Sequence, residues 1–206
     1  MSADGLRLFV FARHAESTAN AERVLSFDPS RPVALTARGR AEAETLGTQL
    51  ANVPVGLAVG TRLVRTQQTI AIALEGRRVP VVIEPDFDEI RGGDLDGAPV
   101  EAYWSWKNEH DLGDRMPHGE SPAEALRRYA SALRRLLARS EMVTLAVIHE
   151  FGLRSIVTAA AGASLPHMPF PNAVPFLFDE HAAERAAASL DAMALMRRPY
   201  SQPRPE

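Results

Sequence analysis

The stretch Leu6-Arg7-Leu8-Phe9-Val10-Phe11-Ala12, followed at once by Arg13-His14-Ala15-Glu16-Ser17, decides how the rest of the chain is read. Its first seven residues are apolar apart from Arg7 and rich in β-formers, and they predict a buried strand. An arginine and a histidine then stand side by side where that strand must stop. In an open α/β sheet ligands bind beyond the carboxyl ends of strands, so the pair sits where a ligand would. A guanidinium suits a phosphate or carboxylate, and an imidazole suits proton transfer or nucleophilic attack. A surface turn carrying Arg-His by chance is the alternative, and the dipeptide by itself does not separate the two.

Working outward, the same strand-then-helix pattern recurs. Val55 to Gly60 predicts a second buried strand, and Thr61 to Thr69 turns into a helix that runs to about Glu75 and is closed by Gly76. Val79 to Glu84 predicts a third strand, near an edge because Pro80 cannot donate to a ladder. Val143 to Ile148 predicts a fourth, which ends in His149 as the first ends in Arg13-His14. Between the strands, Thr36 can cap a helix with Ala41, Leu46 and Leu50 on one face. Ser121-Pro122-Ala123-Glu124 supplies a capping box with a first-turn proline, and its helix is expected to reach about Arg139. Phe151 to Ala161 predicts another helix. Residues 18–34 and 85–98 read as loops, and residues 99–117 as a short helix and loop carrying Trp104, Trp106 and Lys107. Pro166, Pro169 and Pro171 mark a further loop, with late strands expected at Ala173–Asp179 and Leu190–Met196. The alternation predicts an α/β three-layer sandwich, a mostly parallel central sheet flanked by helices, as one domain over residues 1–196. Residues 197–206 form a proline-rich tail.

Composition narrows the function classes. With 206 residues, 46% of them hydrophobic, a single domain can bury a substantial core. A net charge of -3 gives neither a nucleic-acid footprint nor a general attraction to anionic membranes, so an anionic ligand must be drawn by a local basic cluster. The absence of cysteine excludes disulfides, zinc–thiolate sites and a cysteine nucleophile. The opening MSADGLRLFVFARHAES has too short and broken an apolar run for a signal peptide. No apolar stretch nears the ~20 residues that span a bilayer, so a cytoplasmic location is expected. The six histidines show no clustered ligand spacing, and neither a metal nor another cofactor is expected.

In the predicted fold three strand ends face one edge of the sheet. They deliver Arg13 with His14, Arg65 one turn into the following helix, and His149. Two arginines, two histidines and two helix N-termini make an anion site with more donors than one carboxylate can accept, which favours a phosphoryl group.

These residues resemble the signature of the histidine phosphatase (phosphoglycerate mutase-like) superfamily, over residues 6 to 180. The motif Arg-His-Gly with a later Asn is matched by Arg13, His14, Ala15, Glu16, Ser17 and Asn20. A Leu-Thr-x-x-Gly helix start is matched by Leu35-Thr36-Ala37-Arg38-Gly39, and an arginine-bearing turn by Arg62-Leu63-Val64-Arg65-Thr66-Gln67-Gln68-Thr69. Glu89 with Gly93 and Gly97, Gly119-Glu120-Ser121, and His149 with Gly152 and Arg154 complete the set in the family's order.

The resemblance implies the phosphoglycerate mutase-like fold and a metal-independent phosphatase acting on a small phosphorylated metabolite. His14 would be the nucleophile that becomes a phosphohistidine. Arg13, Arg65, His149 and Asn20 would bind the phosphoryl oxygens, and Glu89 would be the proton donor. No nucleic-acid or membrane partner is expected; a homodimer is compatible with the sequence, which leaves the oligomeric state open. A mutase using the same residues is the first alternative, disfavoured because the stretch from Gly97 to Gly119 is brief. An inactive phospholigand-binding or interaction module of the same fold is the second. Ala15 departs from the family's glycine, and Arg62, which departs from its proline, is expected to be a solvated surface residue. Glu150 stands where the family carries glycine. It is expected either to pair with Arg154 one helical turn on, or to act as an alternative proton donor. Glu16 is expected to be a local hydrogen-bonding residue, and the pairs Arg127-Arg128 and Arg134-Arg135 a solvated helix face. Substrate specificity is expected from residues 21–34, 98–118 and 164–172.

Overall fold

A computed structural model describes residues 7–162 and 170–196. The five strands are β1 (Leu8–Arg13), β2 (Leu57–Gly60), β3 (Val81–Ile83), β4 (Val143–Ile148) and β5 (Pro175–Asp179). They form one sheet in the order β3-β2-β4-β1-β5, parallel except for β5. Pro80 precedes β3 at one edge and Pro175 opens β5 at the other, both places where a missing N–H costs no ladder bond.

Both faces of the sheet are covered, which is why its central strands are apolar throughout rather than alternating. Phe9 and Phe11 point into a core built with Leu126, Tyr129, Leu133, Ile156, Ala183 and Leu190. These come from α5 (Pro122–Leu137), α6 (Glu150–Ala161) and α7 (Glu180–Met193). Val10 and Ala12 point the other way, against Leu46, Leu50, Ile70 and Leu74, which lie on or just after α2 (Ala37–Gln49) and α3 (Val64–Ala73). The result is the expected three-layer α/β sandwich.

The caps follow the sequence closely. Thr36 Oγ1 accepts the Gly39 N–H at 2.9 Å, and Ser121 and Glu124 form a reciprocal capping box at the head of α5. Gly39 is there because a Cβ would lie 2.0 Å from the Glu16 carbonyl oxygen: the start of α2 presses directly on the segment after β1.

Two readings need correction. Residues 18–34 are not all loop, since Ser17 caps a one-turn helix α1 (Thr18–Glu22), too short to announce itself by periodicity. Residues 99–117 hold the expected short helix, α4 (Val100–Glu109), followed by a loop. The expected strand Leu190–Met196 is instead the last turn of α7 and the turn after it; the helix is capped at its start by Asp179 and seated on Ala183, Ala186, Ala187 and Leu190. Alanine is too small to mark an apolar face, so this i, i+3, i+4, i+7 stripe gives no helix signal and the short apolar run at its end reads as a strand. The loop proline residues Pro166 and Pro169, His167 and the tail 197–206 lie outside the described residues. Among the described residues no helix is long and apolar enough to cross a membrane.

Candidate active site

The parallel register of β1 and β4 pairs Arg13 with Ile148, so the next residue of each strand, His14 and His149, arrive side by side. The His14 N–H donates to the Ile148 carbonyl at 2.9 Å, carrying the ladder one residue past the strand ends. The two rings are buried, with centroids 5.2 Å apart. β2 lies on the other side of β4, and the turn after it feeds α3, whose second residue is Arg65. Three adjacent strands thus deliver one cluster.

Hydrogen bonds fix the state of each ring. His14 Nδ1–H donates to the Ala15 carbonyl at 2.8 Å, while its Nε2 accepts from Arg65 Nε at 3.0 Å. Arg65 Nη2 donates to His149 Nδ1 at 3.2 Å, which leaves the His149 proton on Nε2, directed at Thr61 Oγ1 at 2.9 Å. Burial, reinforced by Arg65, pushes both histidines well below the ordinary value, so both are neutral near pH 7. Arg65 is itself buried, which lowers it to about 10, and it remains a cation. Its guanidinium is braced by Ser26, whose carbonyl accepts Nη2 at 2.9 Å and whose hydroxyl accepts Nη1 at 3.2 Å. Asn172 Nδ2 donates to the His14 carbonyl at 2.6 Å, and Thr69 Oγ1 accepts the Ala15 N–H at 3.0 Å. No motif singles out Ser26, Thr61 or Asn172, although Ser26 and Asn172 fall in stretches expected to set specificity; Thr69 belongs to the arginine-bearing turn.

Arg13 donates from Nη1 to the Phe170 carbonyl at 2.8 Å and pairs with Glu150 at 2.9 Å, yet its Nε is buried without an acceptor. Glu150 also pairs with Arg154 at 2.8 Å, the expected i,i+4 contact, and accepts the Phe170 N–H. Both glutamate oxygens are therefore engaged with cations. Lys107 packs nearby on α4, its ammonium 4.8 Å from the Trp104 ring. Burial, with help from Arg154, lowers it to about 7.

Glu89 lies on the irregular stretch between short 3₁₀ turns at Pro85–Phe87 and Gly93–Leu95. Burial raises its carboxyl above the ordinary range. Arg65 and Arg13 oppose the shift and Glu150 adds to it, which places Glu89 in the field of the cluster. Asn20 is less directly placed. Its Oδ1 accepts from the Ser17 N–H at 3.0 Å and the Ser17 hydroxyl at 2.9 Å in the capping box of α1, leaving the amide N–H₂ as its donor. Glu16 is the local hydrogen-bonding residue expected, accepting from Thr36 Oγ1 at 2.8 Å. Of the arginines expected to be solvated, one is buried and another is exposed but paired. Arg128 is buried against Glu120, and Arg62, although half-exposed, forks onto the buried Asp88. Among the described residues no group of three His, Cys, Asp or Glu could hold a metal ion.

Residues 9–174 match the family profile described as "Histidine phosphatase superfamily (branch 1)". The chain is 31% identical over 163 residues to the adenosylcobalamin/alpha-ribazole phosphatase of Salmonella typhimurium, covering 75% of this chain and 78% of that protein. It is 35% identical over 128 residues to a 2,3-bisphosphoglycerate-dependent phosphoglycerate mutase of Gloeobacter violaceus, covering 56% and 57%. Among solved structures, the alpha-ribazole phosphatase of Shigella flexneri superposes with a TM-score of 0.72 at 25% identity, over 82% of this chain and 89% of that one. The match spans β1 through the cluster to the segment before β5, and on that footing the chain belongs to the histidine phosphatase superfamily, branch 1.

Proposed function

We propose that this chain is a metal-independent phosphatase of a small phosphomonoester that works through a phosphohistidine on His14. The observation that carries the reading is the His14 ring: buried and neutral, with its Nε2 lone pair turned to Arg65 and its proton held away on Ala15. Beside it the buried Arg13 Nε has no acceptor. A buried donor left unpaired costs about 1–3 kcal/mol, and an anionic oxygen is the partner that would relieve it. The phosphatase names among the relatives support the same class of substrate.

The chemistry follows from that geometry. As the phosphoryl group enters, Arg65 Nε–H turns from the His14 Nε2 lone pair to a phosphoryl oxygen; Nε2 then attacks phosphorus in line, forming the N–P bond as the P–O bond to the leaving group breaks. The protonated Glu89 carboxyl gives its proton to the departing oxygen, and burial helps it hold that proton near neutral pH. Water then attacks phosphorus and passes a proton to the Glu89 carboxylate, and the N–P bond breaks to return the lone pair to His14. Arg13, Arg65, His149 and the Asn20 amide stabilise charge on the phosphoryl oxygens, where most of the catalysis of phosphoryl transfer originates. The two guanidinium groups supply the positive charge that a divalent ion supplies in other phosphatases.

The test is turnover of p-nitrophenyl phosphate in chelator, with rapid acid and alkaline quenching. The wild type is expected to turn over and to yield an acid-labile, alkali-stable phosphoprotein, and His14→Ala neither. Unimpaired turnover in His14→Ala would overturn the assignment. The mutase similarity supports a second reading, in which the phosphoryl group returns to the product. Priming of phosphoglycerate interconversion by 2,3-bisphosphoglycerate would establish it.

A further inference from the structure

Glu89 sits on no strand and no α-helix, so something other than a backbone ladder must fix its carboxyl. The carboxyl itself accepts the Ile90 N–H at 2.9 Å, and the stretch that carries it is held by side chains from elsewhere. Arg128, on α5, donates from Nη1 to the Asp86 carbonyl at 2.8 Å and the Asp88 carbonyl at 3.0 Å, and from Nη2 to the Glu89 carbonyl at 3.3 Å. The Tyr129 hydroxyl donates to the same Asp88 carbonyl at 3.0 Å. Glu120 neutralises Arg128 and accepts the Arg91 N–H at 3.0 Å, which secures the chain two residues beyond Glu89.

A second clamp acts from the opposite direction. The buried Asp88 carboxylate accepts the Arg62 backbone N–H at 2.9 Å and its Nε at 2.7 Å, and pairs with its Nη2 at 2.6 Å. Arg62 belongs to the turn that starts α3, three residues before Arg65. The clamp therefore ties the stretch bearing the carboxyl to the turn bearing the phosphate-binding guanidinium. A buried ion pair such as Arg128–Glu120 is weak as a source of stability, because desolvation offsets most of the attraction. What it achieves here is to place one guanidinium across three carbonyls.

We propose that Arg128 and Arg62 are positioning residues for Glu89, setting its carboxyl against the leaving oxygen of an ester bound at His14. The inference rests on the phosphatase reading. Displacing a catalytic group by about 1 Å can cost on the order of 10²-fold, and only where that group is needed. A poor leaving group needs the proton and a dinitrophenolate does not.

The experiment compares kcat/KM for phenyl phosphate and dinitrophenyl phosphate in wild type, Glu89→Gln, Arg128→Lys and Arg62→Ala, with folding checked by circular dichroism. On phenyl phosphate, Glu89→Gln is expected to lose about 10²- to 10⁴-fold, the usual worth of a general acid. Arg128→Lys should lose on the order of 10²-fold and Arg62→Ala about tenfold. On dinitrophenyl phosphate all three should lose far less. A steep response in Glu89→Gln with equal losses on both esters in the arginine variants overturns the inference alone. Equal losses in Glu89→Gln itself overturn the proton-donor reading and the inference with it. Should Arg128→Lys fail to fold, Arg62→Ala decides: its side chain is half-exposed, and the same contrast between the two esters is required of it.

Discussion

The two sides of the candidate site are built on different principles. The histidine side comes from consecutive parallel strands, where one register fixes Arg13 against Ile148 and so brings His14 beside His149. The carboxyl side is an irregular stretch between two 3₁₀ turns, held by the guanidinium groups of Arg128 and Arg62 and by the Tyr129 hydroxyl. Strand ends place a side chain through backbone bonds that every residue type but proline can make. A loop places one only through particular side chains elsewhere in the chain. The first side should therefore tolerate changes in its surroundings and fail when its own residues change, whereas the second should be sensitive at a distance.

After His14 itself, the largest effect expected on the histidine side is at Arg65. It touches both rings and Ser26, so Arg65→Ala is expected to lower kcat on the order of 10³-fold, in line with the worth of arginines that stabilise a transferring phosphoryl group. Removing this cation also relieves one of the influences that keep His14 neutral. The acid limb of kcat/KM, which reports the loss of the neutral nucleophile, should move to higher pH. A rate loss with an unmoved acid limb would separate Arg65 from the His14 titration and break the picture of one electrostatic unit.

This contrast also decides what could be read from the sequence. Apolar runs ending in Arg13-His14 and His149 were legible because a buried parallel strand must be apolar and must stop where ligands bind. The Ser121 capping box was legible because its residues are local. The clamps on Glu89 were not, because Arg128 and Asp88 are 40 positions apart in the sequence and an arginine pair on a helix reads the same whether solvated or buried. Arg62 is exposed, as its sequence suggests, but its pairing with Asp88, 26 positions away, is invisible for the same reason. Likewise Ser26 braces Arg65 from a stretch without periodicity, and α7 was hidden because alanine fills its apolar face.

The two sides should also oppose each other in their contribution to stability. His14 and His149 are buried and neutral, with folded values below the ordinary 6.5, so the unfolded chain binds more protons below that pH. Their contribution is complete above about 6.5 and is lost as pH falls toward the folded values. Glu89 has the opposite sign. Its folded value lies above the ordinary 4.5, so its contribution is present below 4.5 and is lost as pH rises through the raised value. Glu89→Gln is then expected to raise the thermal midpoint at pH 8 relative to wild type and to change it little at pH 4, as read by calorimetry. An equal shift at both values would show that the carboxylate is not held at a cost.

The smallest effect expected is at Glu150, where the two readings of the sequence diverge. The carboxylate lies between Arg13 and Arg154 and accepts the Phe170 N–H, so its charge offsets part of the positive field beside His14. Glu150→Gln keeps the shape and an acceptor while removing that charge. A partly exposed pair is worth up to about 1 kcal/mol, so KM for a phosphate dianion should fall by less than about tenfold. The dependence of kcat on the leaving group should not change, because the proton in this scheme comes from Glu89. If kcat instead collapsed for poor leaving groups and held for good ones, Glu150 would be the donor. The catalytic carboxyl would then stand on α6 directly after His149, on the strand-built side of the site, and the division between the two sides would no longer hold.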